Sequence, residues 1–120
     1  MFLVDTSLWA DHIGRPIPRL SELLFQEKVL GHPFVLGEVL LGNLRDRVVF
    51  ERQYQELEMA ERADDSEVLK MISDHGIFGT GIGYVDAHLL ASAILSDCKL
   101  LTRDKRLAAV AVHMGIGEEY

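Results

Sequence analysis

Short apolar runs alternate with stretches of helical period along almost the whole 120-residue chain, and two of those runs lead directly into aspartates. Phe2-Leu3-Val4 ends at Asp5, and Lys99-Leu100-Leu101-Thr102 runs on to Asp104. Runs this short do not make helices and read as buried strands. Lys28 to Leu30, before Gly31, predicts another strand, and Leu57 to Ala60 a weaker one. Strands and helices alternating within one domain, residues 1–120, argue for an α/β fold with a mainly parallel sheet. In such sheets the functional crevice lies beyond the carboxyl ends of the strands. Asp5 and Asp104 both fall there.

The helical stretches carry their own punctuation. Leu8, Trp9, His12 and Ile13 recur at helical spacing behind Asp5 or Thr6, either of which can cap. Leu20, Leu23 and Leu24 predict a second helix. Pro33 suits the first turn of a third, running through Phe34, Glu38, Leu41 and Leu44. Phe50, Tyr54 and Leu57 mark a fourth. Asp64 and Glu67 have capping-box spacing before Val68, Met71 and Ile72, and Gly76 closes that helix. A loop with Gly79, Gly81 and Gly83 precedes a helix whose stripe is Val85, Leu89, Ala93 and Ile94. Leu107, Val110 and Ala111 mark the last.

Four of the 19 acids resist reading as ordinary surface charge. Asp5 and Asp104 follow strands, and Asp86 opens the helix after the glycine loop. Glu38 lies within Phe34-Val35-Leu36-Gly37-Glu38-Val39-Leu40-Leu41, on the face expected to carry Phe34 and Leu41. An ionised carboxylate on an apolar face is costly without a basic partner, a helix N-terminus or a metal ion. Taken singly, Asp5 and Asp86 read more readily as helix N-caps than as ligands, while Asp104 reads equally as a cap or loop residue and Glu38 equally as a paired core acid. Convergent carboxylates would repel one another without cations, and oxygen-only ligands select hard ions such as Mg²⁺ or Mn²⁺. That is the chemistry of metal-assisted phosphodiester hydrolysis.

Charge narrows the substrate. With 12 basic against 19 acidic residues the net charge is −7, which argues against a duplex-DNA binder built on broad phosphate neutralisation. Without the four acids the balance is 12 against 15, and two divalent ions would offset the quartet. The single cysteine, Cys98, excludes an internal disulfide and a thiolate cluster from one chain. No basic leader or long apolar run is present, so the expectation is a cytoplasmic protein without a membrane span.

The blocks Leu3-Val4-Asp5-Thr6-Ser7-Leu8-Trp9, His32-Pro33-Phe34-Val35-Leu36-Gly37-Glu38 with Leu41-Gly42-Asn43-Leu44-Arg45, Gly81-Ile82-Gly83-Tyr84-Val85-Asp86-Ala87-His88-Leu89-Leu90-Ala91-Ser92-Ala93, and Leu101-Thr102-Arg103-Asp104-Lys105-Arg106-Leu107 span nearly the whole chain. In this order and spacing they resemble the PIN-domain ribonuclease toxins of VapBC toxin–antitoxin modules. The resemblance implies a three-layer α/β/α fold with a mainly parallel central sheet. It implies an Mg²⁺- or Mn²⁺-dependent endoribonuclease whose acidic quartet is Asp5, Glu38, Asp86 and Asp104. Asp5 and Asp86 would be direct ligands. Glu38 and Asp104 would bind through water or orient the nucleophile, with Thr6, Ser7 and Thr102 as supporting hydroxyls. It further implies RNA as substrate, often a single-stranded loop of tRNA or ribosomal RNA, a homodimer, and a VapB-type antitoxin whose C-terminal segment covers the groove. Similar members often carry a basic residue where this chain has Thr80.

Arg45, Arg103 and Lys105 are the candidate contacts to the RNA backbone, with Arg47, Arg52 and Arg106 also near the site elements in sequence. Solvated surface charge is the alternative for each. His12, His32, His75, His88 and His113 lack paired zinc spacing, and His88 stands out only for following Asp86. Trp9 could stack on a base, although core or dimer contact suits it as well. The glycine loop lacks the strand and order of a dinucleotide site. A phosphorylated signalling receiver would need an acceptor aspartate at a mid-chain strand end, where residues 50–58 instead read as helix. A binding-only relative would not need all four acids.

Overall fold

The structure, a computed structural model, describes residues 1–118. Its strands are β1 (Phe2–Val4), β2 (Val29–Leu30) and β3 (Lys99–Leu101), all parallel in the order β2-β1-β3. The helices are α1 (Thr6–Gly14), α2 (Pro18–Phe25), α3 (Pro33–Leu40), α4 (Arg47–Gln55), α5 (Asp65–His75), α6 (Tyr84–Leu95) and α7 (Lys105–His113). They cover the sheet in a three-layer α/β/α arrangement, as the alternating pattern leads one to expect. Val4 is in register with Leu101, so the carboxyl ends of β1 and β3 lie side by side.

Four details differ from the sequence reading. Leu57 to Ala60 forms no strand; Met59 makes only an isolated parallel bridge to Gly31. Glu58 O and Ala60 N bond to the two backbone groups of Gly31, so the contact is one residue wide. The third helix stops at Leu40, short of Leu44, and the Arg47 guanidinium donates to Leu40 O at its end. Leu57 likewise lies just past α4. In α6 no single stripe exists: Ala87 through Ala93 are all buried, while Ile94 is exposed. A helix clasped on most sides needs small residues rather than one apolar face, and Ala87, Ala91, Ser92 and Ala93 supply them.

The ends behave as the sequence chemistry dictates. Asp64 and Glu67 close a reciprocal capping box on α5, and Gly76 ends it in the left-handed region at φ 61°. Trp9 is buried among Phe50, Tyr54 and His12, with ring centroids 5.4–6.0 Å away. Its role is therefore core contact rather than base stacking. Cys98 is buried, which pushes its thiol above the usual range.

Two histidines hold joints of the fold. His12 Nδ1 accepts from Ile17 N at 2.9 Å, which fixes the turn between α1 and α2. His32 is 1% exposed and caps α3, its Nδ1 accepting from Phe34 N at 3.0 Å. With Nδ1 an acceptor, Nε2 carries the proton and donates to Ser92 Oγ, 3.1 Å away on α6. Tyr54 OH accepts from His32 N at 2.9 Å and donates to His32 O at 3.3 Å. The site is built for neutral imidazole. Burial, with Arg62 and His88 adding to it, lowers the His32 pKa to about 4.

An unfolded His32 takes up a proton near pH 6.5 and the folded one only near 4, so stability is full above 6.5 and declines as pH falls through that window. Burial lowers the pKa of His12 as well, with the same sign. Urea unfolding should therefore lose about 3 kcal/mol through His32 between pH 7 and pH 4. The variant His32→Asn, whose carboxamide oxygen can still cap α3, should show a shallower decline over the same range. Equal slopes for the two proteins would remove His32 as the cause.

Candidate active site

The site grows from the carboxyl edge of the sheet. Asp5 is the first residue past β1, and its N–H still donates to Leu101 O at 3.1 Å. Its side chain, in a residue 4% exposed, caps α1 by accepting from Leu8 N at 3.3 Å. Ser7 Oγ donates to Asp5 Oδ1 at 2.7 Å, and Thr102 Oγ1 donates to Asp5 Oδ2 at 2.6 Å. Each hydroxyl in turn accepts from the loop between β3 and α7. Arg103 N donates to Ser7 Oγ at 3.2 Å, and Asp104 N donates to Thr102 Oγ1 at 2.9 Å. Two backbone N–H groups thus act through two hydroxyl protons on the two oxygens of one carboxylate. The hydroxyl oxygens lie 3.3 Å apart, their protons already directed at Asp5.

Burial pushes the Asp5 carboxyl above its ordinary value, the hydroxyls and Leu8 N pull it back, and the nearby charge of Asp86 raises it further. Asp86, half-buried in the first turn of α6, accepts on Oδ2 from Gly83 N at 3.1 Å. Its carboxyl is also raised, first by burial, then by the charges of Asp104 and Glu38, with the Gly83 bond opposing. Asp86 is the common neighbour: it feels both of those acids, and Asp5 feels it. Asp104 caps α7, its Oδ1 accepting from Arg106 N at 2.9 Å and Leu107 N at 3.1 Å. Glu38 Oε1 accepts from Thr6 Oγ1 at 2.8 Å, which ties α3 to the start of α1.

Glu38 is not on a buried apolar face. Its residue is exposed, and Leu41 on the same face is 89% exposed. The apolar run misleads because α3 buries only Val35 and Val39, and Glu38 lies at the edge of that stripe, where the helix turns toward solvent. What marks Glu38 is its hydroxyl partner and its coupling to Asp86.

Among the described residues, no three His, Cys, Asp or Glu side chains form a ready metal cage. The donors nonetheless suit one kind of ion. Glu38, Asp86 and Asp104 each engage one carboxylate oxygen in the bonds above, which leaves an oxygen apiece without a hydrogen bond among the described residues. A hard cation that keeps most of its waters and takes one or two carboxylates matches such an open set.

The other candidates are less concentrated. Arg45 and Lys105 are exposed, and the Arg103 guanidinium donates to Asp11 Oδ2 at 2.9 Å. Thr80 Oγ1 donates to Ile77 O at 2.8 Å, within its own loop. His88 is buried, its Nε2 3.2 Å from Asp65 Oδ1. The sequence reading gave no part to the backbone N–H of Gly83. Its signal was a glycine at the residue before the helix with an acid three positions on, half of a capping box. Gly81 is required too: its φ is +86°, and a Cβ there would sit 2.9 Å from the Arg106 guanidinium.

Comparison with known proteins identifies the family. Residues 2–113 match the PIN domain family. The chain is 38% identical over 117 residues to Ribonuclease VapC32 of Mycobacterium tuberculosis, in both strain CDC 1551 / Oshkosh and strain ATCC 25618 / H37Rv. Those alignments cover 97% of this chain and 94% of each relative. The crystal structure of PAE2754 from Pyrobaculum aerophilum superposes with a TM-score of 0.60 at 20% identity, over 91% of this chain and 78% of that one. At that identity it speaks for the fold alone.

An acid whose pKa is raised by folding weakens the fold while it is ionised. Asp86→Asn should therefore raise Tm at pH 7 without divalent ions, and the gain should vanish below the ordinary carboxyl value, where Asp86 is protonated in both states. A lowered Tm at pH 7 would count against repulsion at the site. Thr102→Val strands Asp104 N and removes a donor from Asp5, and should cost about 1–3 kcal/mol in urea unfolding.

Proposed function

The chain belongs to the PIN-domain family, as a VapC-type ribonuclease, and on that premise we propose that it cuts RNA internally with a divalent cation, Mg²⁺ or Mn²⁺, held at Asp5 and Asp86. The observation that carries the reading is a pair of carboxylates held by hydrogen-bond donors at a strand end and a helix start, each raised first by burial and then by neighbouring acids, Asp5 by Asp86 and Asp86 by Asp104 and Glu38. Such an arrangement costs folding energy and is relieved by a cation. When bound, the ion supplies Lewis acidity toward the phosphate and offsets its charge.

The residues of the chain do the rest. Ser7 and Thr102 hold both oxygens of Asp5, so the carboxylate keeps one orientation, and the two hydroxyls oppose the upward push of burial. Gly83 N fixes one oxygen of Asp86, and the other accepts no hydrogen bond among the described residues. Thr6 orients Glu38, and the start of α7 orients Asp104, both suited to taking a proton from or positioning an attacking water. Arg45, Arg103 and Lys105, all exposed, are the side chains assigned to the RNA backbone. The substrate proposed is a single-stranded loop of tRNA or ribosomal RNA.

As a toxin of this kind the chain would work as a homodimer in the cytoplasm, restrained by a VapB-type antitoxin. Exposed Leu41 and Val48, flanking the connection from α3 to α4, support an apolar contact surface for a partner protein. No helix among the described residues is long and apolar enough to cross a membrane.

Purified protein should cleave single-stranded RNA with Mg²⁺ or Mn²⁺ and stop when EDTA is added. Asp86→Asn should lose more than about 100-fold in rate, since even residues that merely orient a metal ligand are worth about 10–100-fold. Mn²⁺ should also raise Tm of the parent protein, by mass action on the folded state, and leave Asp86→Asn unmoved. Undiminished cleavage in EDTA would overturn the mechanism.

A further inference from the structure

Beside the acids, four rings and a cation form a continuous row that the mechanism above does not use. Phe34 on α3 stands one helical turn before Glu38, so the two side chains share a face. The Phe34 ring meets the His88 ring of α6 with centroids 5.0 Å apart and planes at 64°. His88 in turn meets Tyr84 edge to face, at 4.8 Å and 89°. Behind Phe34 lies His32, at 5.1 Å, and over Phe34 lies the Arg62 guanidinium, 5.2 Å from the ring centroid. The row bridges the two helices that carry Glu38 and Asp86, and it is anchored at both ends.

Its members differ in exposure. His32 and His88 are buried, Phe34 is half-buried, and Tyr84 and Arg62 are exposed. Tyr84 is 46% exposed, yet its hydroxyl donates to Asp65 Oδ1 at 3.0 Å, on the same oxygen that His88 Nε2 approaches. A large, 46% exposed ring held at two points, by its hydroxyl and by His88, has given up rotamer freedom before any partner arrives. The core gains little from that arrangement. A flat ligand gains a prepared surface, and the neighbouring acids make the relevant flat ligand a nucleobase attached to the phosphodiester that water would hydrolyse there.

We propose that Tyr84, with the Phe34–Arg62 pair across the row, is a stacking platform for an unpaired nucleobase next to the scissile phosphate. This rests on the ribonuclease reading and adds to it a specificity-determining surface. Stacking requires a splayed-out base, so the platform selects single-stranded over duplex RNA, and it does so without a basic surface. Arg62 adds a planar cation that can stack on a base or meet the adjacent phosphate.

The test uses the full chain in an Asp86→Asn background, which keeps RNA intact during binding. Fluorescence anisotropy with a labelled single-stranded 12-mer of mixed sequence should show Tyr84→Ala weakening binding by about 5- to 100-fold, the range of one lost base stack. Tyr84→Phe keeps the ring and should bind within about twofold of the parent. Arg62→Ala should weaken binding by a smaller factor. Thermal melts check that each variant is folded. With a 12-mer of abasic sugars the difference between parent and Tyr84→Ala should vanish, which a structural role for Tyr84 would not produce. If the parent binds the normal 12-mer and Tyr84→Ala binds it equally well, or if the Tyr84→Ala loss persists on abasic RNA, the platform is overturned and the ribonuclease reading stands. If the wild-type chain cleaves no RNA and the parent binds none, both fall together.

Discussion

Removing a carboxylate from water at the end of a strand is a severe constraint, and the rest of this molecule is arranged around how Asp5 tolerates it. The desolvation penalty is offset by three donors, two of them hydroxyls that are themselves oriented by backbone N–H groups of the loop after β3. That loop can only be there because β1 and β3 are parallel and in register, Val4 opposite Leu101. The register therefore sets the electrostatics of the site, and the electrostatics penalise any slip of the register. A shift by one residue would turn Asp5 to the other face of the sheet and leave Thr102 and Asp104 N without their partners.

The other three acids face less desolvation, Asp86 half-buried and Asp104 and Glu38 exposed, and each is held through one oxygen. Asp104 spends one oxygen on two N–H groups of its own helix, Asp86 on the N–H before its helix, and Glu38 on a neighbouring hydroxyl. The favourable N-terminal field of α6 and α7 adds to those bonds. Yet the four charges still act on one another through Asp86. The fold thus holds a charge conflict at Asp86, and hydrogen bonds hold each acid in place despite it. This is the ordering that a cation site needs in advance, since ligands already fixed lose little freedom when an ion arrives.

Much of this was legible in the sequence because it depends on local rules. An apolar run stopped by an acid, Pro33 in a first turn, Asp64 with Glu67, and Gly76 after a helix each specify their geometry within a few residues. What escaped depends on what lies across the chain. Glu38 was singled out for sitting in an apolar run, but the run's burial is decided by which stripe of α3 meets the core; that stripe is Val35 and Val39, with Glu38 at its edge and Leu41 past the helix end. The stripe on α6 failed for the converse reason: a helix enclosed by neighbours on most sides has no periodicity to read. Leu57 to Ala60 has strand-like composition, yet it meets the sheet through the single residue Gly31. The relay through Ser7 and Thr102 joins residues 95 apart and has no local signature at all.

Net charge then decides how such a protein can hold a polyanion. At −7 the long-range field opposes RNA, and of the exposed cations near the site the Arg103 guanidinium already meets Asp11. Affinity must come from forces that operate at contact: a cation bound among the acids, and ring faces whose attraction for a base does not depend on the sign of the field. The row from Tyr84 to Phe34 supplies the second kind beside the acids that would supply the first. Because stacking is short-ranged and demands an unpaired base, this combination disfavours duplexes that a basic surface would gather indiscriminately. An acidic chain with a stacking surface is therefore a selective arrangement, in which repulsion at a distance excludes most of the nucleic acid that contact alone would not.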